Sequence, residues 1–160
     1  MEKAAGKIKD KASALSLIQE WKKQGKKVVF TNGCFDILHL GHVDYLEKAR
    51  ALGDALVIGL NTDASVSRFK GPHRPLQDQD SRARVMASLQ SVDLVVFFDE
   101  DTPINLISEL QPNVLVKGSD YLAGNIVGAD VVKKSGGVVQ TIDFVPGYST
   151  TRIVEKIKTL

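Results

Sequence analysis

Apolar residues recur along the chain in two alternating patterns. Short runs rich in Val, Ile, Leu and Phe, with little polar alternation, lie at 27–31, 55–60, 93–98, 113–116 and 137–142. Runs of this kind predict strands buried on both faces. Between them, apolar positions three and four apart predict helices over 12–24, 41–52, 80–91, 103–110, 126–135 and 150–158. In the first of these, Leu15, Ile18 and Trp21 share a face as packing residues, and Gly25 ends the helix. Asp101-Thr102-Pro103 and Ser149 offer helix-start chemistry. Strands alternating with helices predict an α/β fold: one doubly wound, parallel five-stranded sheet with helices on both faces. In such sheets ligands bind beyond the carboxyl ends of the strands, where the strand order reverses.

Two segments stand outside the alternation. Residues 1–11, with Lys3, Lys7, Lys9 and Lys11, read as a flexible leader before a single domain over 12–160. Residues 69–80 hold two prolines, a glycine and the basic side chains Lys70, His73 and Arg74, and so predict a functional loop able to act as a lid.

Composition narrows the function. A net charge of +2 gives no drive toward nucleic acid or a membrane surface. No apolar run approaches the roughly 20 residues of a spanning helix, and the N-terminus lacks the apolar core of a secretory signal. Cys34, the single cysteine, excludes an internal disulfide and a multi-cysteine zinc site. A cytoplasmic address is expected.

The candidate chemistry begins where the first strand ends. Asn32-Gly33 breaks the strand, and the next helical pattern opens near Gly41, so His39 and His42 sit at a strand–helix junction. Free backbone N–H groups at a helix start attract phosphate. The pair can bind phosphate, share a metal or satisfy backbone groups; no third ligand stands at a metal-site spacing. Ser149-Thr150-Thr151-Arg152 opens the last helix, either as a plain N-cap or as a second phosphate cradle. Lys117-Gly118-Ser119-Asp120 follows a strand, where Lys117 can neutralise phosphate and Asp120 can hold a hydroxyl or a magnesium-bound water; a solvated turn explains the same residues. Asn61 and Asp63 follow the second strand, where polar side chains meet ligands. Arg82 reads most simply as a solvated helix arginine, and Cys34 as a small packed residue.

Taken together, Asn32-Gly33-Cys34-Phe35-Asp36 with His39-Leu40-Gly41-His42, and Ser149-Thr150-Thr151 near the end, resemble the HxGH nucleotidyltransferase superfamily, of Rossmann-like fold. Within it, Phe30–His42, Val92–Pro103, Val116–Tyr121 and Ser149–Arg152 look like the heptose 1-phosphate adenylyltransferase branch, over roughly residues 25 to 158. The resemblance implies a reaction of ATP, with Mg²⁺ carried on its triphosphate, and heptose 1-phosphate to give ADP-heptose and pyrophosphate. His39, His42 and Lys70 would be catalytic. Asn32, Gly33, Cys34, Phe35, Asp36, Gly41, Arg82, Lys117, Gly118, Asp120, Ser149, Thr150 and Thr151 would hold the nucleotide. Asn61, Asp63, Arg74 and Arg152 would meet the acceptor, and no protein metal site is implied. Phe144 departs from the related cytidylyltransferases, which carry arginine there, and this weakens the alternative of a cytidylyl- or adenylyltransferase acting on glycerol 3-phosphate or another small phosphate. A symmetric homodimer, the commonest assembly, is expected.

Overall fold

The computed structural model describes residues 3–120 and 123–160. The apolar runs form strands β1 (Val28–Gly33), β2 (Ala55–Asn61), β3 (Leu94–Phe98), β4 (Val114–Gly118) and β5 (Val138–Ile142). All neighbouring strands run parallel, in the order β3-β2-β1-β4-β5. The chain moves outward from β1 to β3, then crosses back to β4 on the other side of β1, so the order reverses between β1 and β4. That joint is short in backbone terms. Val29 pairs with Val114 and Phe30 with Leu115, whereas β1 and β2 pair from Val28–Ala55 to Gly33–Leu60.

The helices are α1 (Lys11–Lys23), α2 (Leu40–Arg50), α3 (Asp63–Lys70), α4 (Gln79–Ser88), α5 (Ile104–Leu110), α6 (Ala129–Lys134) and α7 (Thr150–Lys158). Alternate strand residues feed two cores. Val28, Phe30, Val57 and Leu115 pack with Ala14 and Ile18 of α1, Ile107 of α5 and Val132 of α6. Val29, Leu56, Ile58 and Val116 pack with Leu46 and Ala49 of α2 and Met86 of α4. Both faces of β1 to β4 are therefore largely apolar, which is why the sequence shows runs instead of alternation, whereas β5, expected to be buried on both faces, is an edge strand without a buried residue. Each such side chain contributes about 1.5–3 kcal/mol through burial, and truncating one leaves a cavity that costs more.

Four further expectations are corrected. The flexible leader is docked from Ala4 onward: Ala4–Lys7 form a 3-10 turn, and Ile8 bridges Val95 on the open edge of β3. Lys7 donates from Nζ to the carbonyls of Val92 and Leu89 at 2.7 and 3.3 Å. The interleaved Ala4 and Ile8 pack against the core, an apolar signal hidden among lysines. Helix α3 is absent from the expectations because Asp63-Ala64-Ser65-Val66-Ser67-Arg68-Phe69 carries few strong helix formers. Its start is nonetheless marked, since Thr62 accepts a hydrogen bond from Ser65 N. Finally, the predicted lid segment is partly the end of α3, and its remainder is tied to the domain through Asp36, as described below. The sixth helix is shorter than expected, running from Ala129 after Gly128 at φ 85°.

Candidate active site

β1 ends in a backbone that folds sharply toward α2. Phe35 takes a left-handed conformation, φ 46°, which costs a bulky residue about 1–2 kcal/mol. Its ring lies where a Gly33 side chain would be: a Cβ there would stand 2.9 Å from the ring. The same ring meets His42 edge-on, centroids 5.2 Å apart. His39 is the N-cap residue of α2 without a side-chain cap bond, and its imidazole stacks on His42 at 3.7 Å. Gly41 makes room for that stack, because a Cβ there would come within 3.0 Å of the His39 ring. Resemblance assigns this room to the nucleotide; in the structure the His39 ring occupies it.

Both imidazoles are kept neutral. Burial lowers the pKa of His39, and burial, then His39 and Lys70, push His42 down to about 4. Nδ1 of each ring is buried with no hydrogen-bond partner among the described residues. A buried polar atom without a partner is costly, and it becomes favourable only when a ligand supplies the missing bond.

Opposite the histidines, Asp36 is almost fully buried and its carboxylate accepts from three donors. Arg74 Nε lies at 2.8 Å, Leu76 N at 2.8 Å and Gln77 N at 2.9 Å. Burial works to raise the Asp36 pKa, but the Gln77 and Leu76 backbone donors and Arg74 outweigh it and hold it below the usual carboxylate value. Asp36 is thus a clamp on residues 74–77 rather than a group with oxygens to spare for a nucleotide. Arg74 lines the cavity, and its Nη2 is buried without a partner among the described residues.

Arg82 is corrected more sharply. Its side chain is wholly buried and donates to the carbonyls of Gln77, Cys34 and Asn61 and to Asp63 Oδ1 at 2.7 Å. It ties together the ends of β1, β2 and the 74–78 segment from behind, and reaches no part of the cavity. Asp63, its partner, is drawn away from the acceptor role with it. Asn61 does line the cavity, with Nδ2 donating to Ser65 Oγ at 3.0 Å. Cys34 sits beside it, its thiol pushed up by burial.

The far wall comes from β4, the β5–α7 connection and α7. Lys117 is buried, which pushes its pKa down to about 8, and its Nζ donates to Asn32 Oδ1. Gly118 lies under the Phe144 ring: a Cβ would be 2.1 Å from its Cζ. Phe144 stacks on Tyr45 of α2, centroids 5.8 Å apart. Ser149 caps α7 by accepting from Arg152 N at 3.1 Å, the plain N-cap alternative. Thr150 lines the cavity and its hydroxyl reaches Ile37 O at 3.4 Å. Asp120, Thr151 and Arg152 are exposed and lie outside the lining. Tyr121 of the same stretch lies outside the described residues.

These walls enclose a cavity of about 570 Å³ straddling the β1–β4 reversal. Of the expected site residues it gathers Asn32, Gly33, Cys34, Phe35, Asp36, His42, Asn61, Lys70, Arg74, Lys117, Gly118 and Thr150. Sequence reasoning missed Tyr45, Phe69, Phe98, Asp101, Thr102, Pro103, Val127 and Phe144. For Tyr45 a signal existed, since it follows His42 by one helical turn. Among the described residues no three His, Cys, Asp or Glu side chains cluster as a metal site. No helix of the described chain is long and apolar enough to cross a membrane.

A parallel sheet with a cavity at its switch point, between the starts of α2 and α7, defines a Rossmann-like domain. Residues 30–156 match the cytidylyltransferase-like family, and the chain belongs to it. It is 58% identical over 151 residues to the bifunctional protein HldE of Magnetococcus marinus, covering 94% of this chain and 31% of that protein. The bifunctional protein HldE of Geobacter sulfurreducens is 56% identical over 151 residues, again 94% and 31%. The chain therefore spans about a third of the length of these curated relatives. Among solved structures it resembles a lipopolysaccharide core biosynthesis protein of Thermoplasma volcanium, TM-score 0.60 and 31% identity, covering 76% of this chain and 98% of that one. A pantoate-beta-alanine ligase of Francisella tularensis shares the fold at TM-score 0.58 and 16% identity, over 96% and 78% of the two chains.

Proposed function

We propose that this domain transfers an adenylyl group from ATP to D-glycero-D-manno-heptose 1-phosphate, giving ADP-heptose and pyrophosphate for lipopolysaccharide core synthesis. The observation that carries the reading is the stacked His39–His42 pair at the α2 start, with both Nδ1 atoms buried and unpartnered among the described residues and His42, though not His39, lining the cavity. The heptose rests on the motif resemblance, and the name of the lipopolysaccharide core biosynthesis protein that the chain is similar to supports it.

In this reading an oxygen of the sugar phosphate attacks the α-phosphorus. A P–O bond forms there as the bond to the β-phosphate oxygen breaks, and the electron pair leaves with pyrophosphate. The nucleotide enters as its magnesium complex, the ion riding on triphosphate oxygens. His42 and His39 donate to the charge that grows on the phosphates, as preorganised donors aimed at that charge. Lys117 and the α7 start hold the nucleotide half, on the β4–β5 side. Arg74, Lys70 and Asn61 hold the sugar phosphate on the β1–β2 side, where in-line placement does most of the work. An ATP-consuming step of this kind belongs in the cytoplasm. The expected homodimer would cover part of α7, which buries no residue and leaves Ile157 exposed.

A screen of four nucleoside triphosphates against heptose 1-phosphate, glycerol 3-phosphate and ethanolamine phosphate, read as pyrophosphate release, tests the proposal. ATP with heptose 1-phosphate should be the fastest pair; a preference for CTP or for another acceptor would overturn it.

A further inference from the structure

The cavity wall holds several aromatic rings that the chemistry above does not use, among them Phe69, Phe98 and Phe144, and Phe144 is the one of these three stacked on a second ring. Phe144 is 49% exposed, although it lines the cavity and belongs to the short connection that leads into α7. Its position is fixed from two sides. Behind it stands the Tyr45 ring, inclined by 26°, and Tyr45 is itself pinned by a buried 2.8 Å hydrogen bond between its hydroxyl and Thr31 Oγ1. Beneath it lies Gly118, which any side chain would drive into the ring. A large apolar ring held this firmly, yet left half in water, is pre-organised for a flat partner.

The geometry points to Phe144 as the platform on which the nucleotide base stacks. This rests on the proposed nucleotidyl transfer. Of the two substrates in that reaction, the nucleotide carries the larger and flatter face of low polarity, its purine; a pyranose ring offers only a narrow patch of C–H groups. The cationic groups Lys70, Arg74 and Lys117 and the histidine pair serve phosphates, which leaves the base to the aromatic end. Stacking on such a ring is rewarded whatever the base, and a purine covers more of the ring than a pyrimidine.

Binding separates this role from simple packing, and needs no turnover. Magnesium ATP and inorganic tripolyphosphate are titrated calorimetrically against the wild type, Phe144→Ala, Phe144→Leu and Phe144→Trp. Phe144→Ala and Phe144→Leu should bind ATP about 5- to 150-fold more weakly, tripolyphosphate should change by less than about twofold, and Phe144→Trp should retain ATP binding. Phe144→Leu keeps apolar bulk against Gly118 and Tyr45, so it carries the test if the alanine variant fails to fold. Equal weakening of both ligands would make the ring part of the phosphate cradle and overturn the inference, as would unchanged ATP affinity in Phe144→Ala and Phe144→Leu while the wild type still releases pyrophosphate. A wild type that binds neither ligand would overturn the proposed function and the platform with it.

Discussion

Asp36 and Arg74, 38 residues apart in the chain, meet through a 2.8 Å hydrogen bond from Nε to a carboxylate that is 1% exposed. The same carboxylate holds the backbone of Leu76 and Gln77. One buried charge therefore fixes both the 74–77 segment and the direction in which Arg74 faces the cavity. Asp36→Ala removes one partner of a buried pair and should lower stability by about 3–5 kcal/mol, read by denaturant unfolding. Asp36→Asn, which keeps the shape, should fold and raise KM for the sugar phosphate more than KM for ATP. Equal changes in both would separate Arg74 from the acceptor.

The Asp36 carboxyl is held below its ordinary pKa. A depressed folded-state pKa favours the ionised form, so its stabilisation is complete above the unfolded value near 4 and is lost as pH falls through the lower folded value. His42 adds a second acid-sensitive range. Its folded pKa of about 4 lies below the unfolded value of roughly 6.5, so the folded state binds fewer protons between them. Melting temperature should therefore fall as pH drops from about 6.5 toward 4, and His42→Gln should flatten that slope. An unchanged slope in the variant would show that the imidazole is not buried in its neutral form.

Removing either imidazole should leave the fold intact and the chemistry crippled. His39→Ala and His42→Ala are each expected to lower kcat by about 10²–10³-fold, the cost of one lost charge-stabilising donor. Circular dichroism should match the wild type. Turnover at the wild-type rate would remove the pair from the mechanism.

Arg82 should behave in the opposite way. With its guanidinium spent on Cys34, Asn61, Gln77 and Asp63, Arg82→Met should cost about 3–5 kcal/mol of stability. Arg82→Lys should not restore it, since an ammonium lacks the planar fork. A stable Arg82→Met protein with a raised KM for ATP would return this residue to the nucleotide.

Trimming the chain through Lys9 strips Ile8 from Val95 and Lys7 from the Val92 carbonyl. It should lower stability by about 1–3 kcal/mol and leave the β3 edge open to self-association. Thermal melting and light scattering report the two effects separately.

What could be read from the sequence follows from what burial does to a pattern. Val28–Phe30 and Leu56–Ile58 are apolar because both sheet faces are covered, so the strands and their class were legible. Ser149 was legible as a cap, because capping is local. Asp36 and Arg82 were not, because a polar residue near a motif looks the same whether it faces a ligand or a backbone carbonyl across the fold. Helix α3 was hidden by serines and a β-branched residue that packing, not propensity, keeps helical. Phe144 was legible only as a departure from the arginine of related cytidylyltransferases, and not as a ring facing the cavity, since its neighbours Tyr45 and Gly118 are brought to it only by the sheet.

The short joint between β1 and β4 has a consequence for how the crevice is filled. Backbone pairing there stops at Phe30 and Leu115, and beyond it Asn32 and Lys117 reach across with their side chains. The fold has thus fastened its central seam with an amine that a phosphate would also claim. In the proposed reaction a triphosphate would therefore meet an amine already held across the seam, so the charge that answers the phosphate and the joint between β1 and β4 share one side chain.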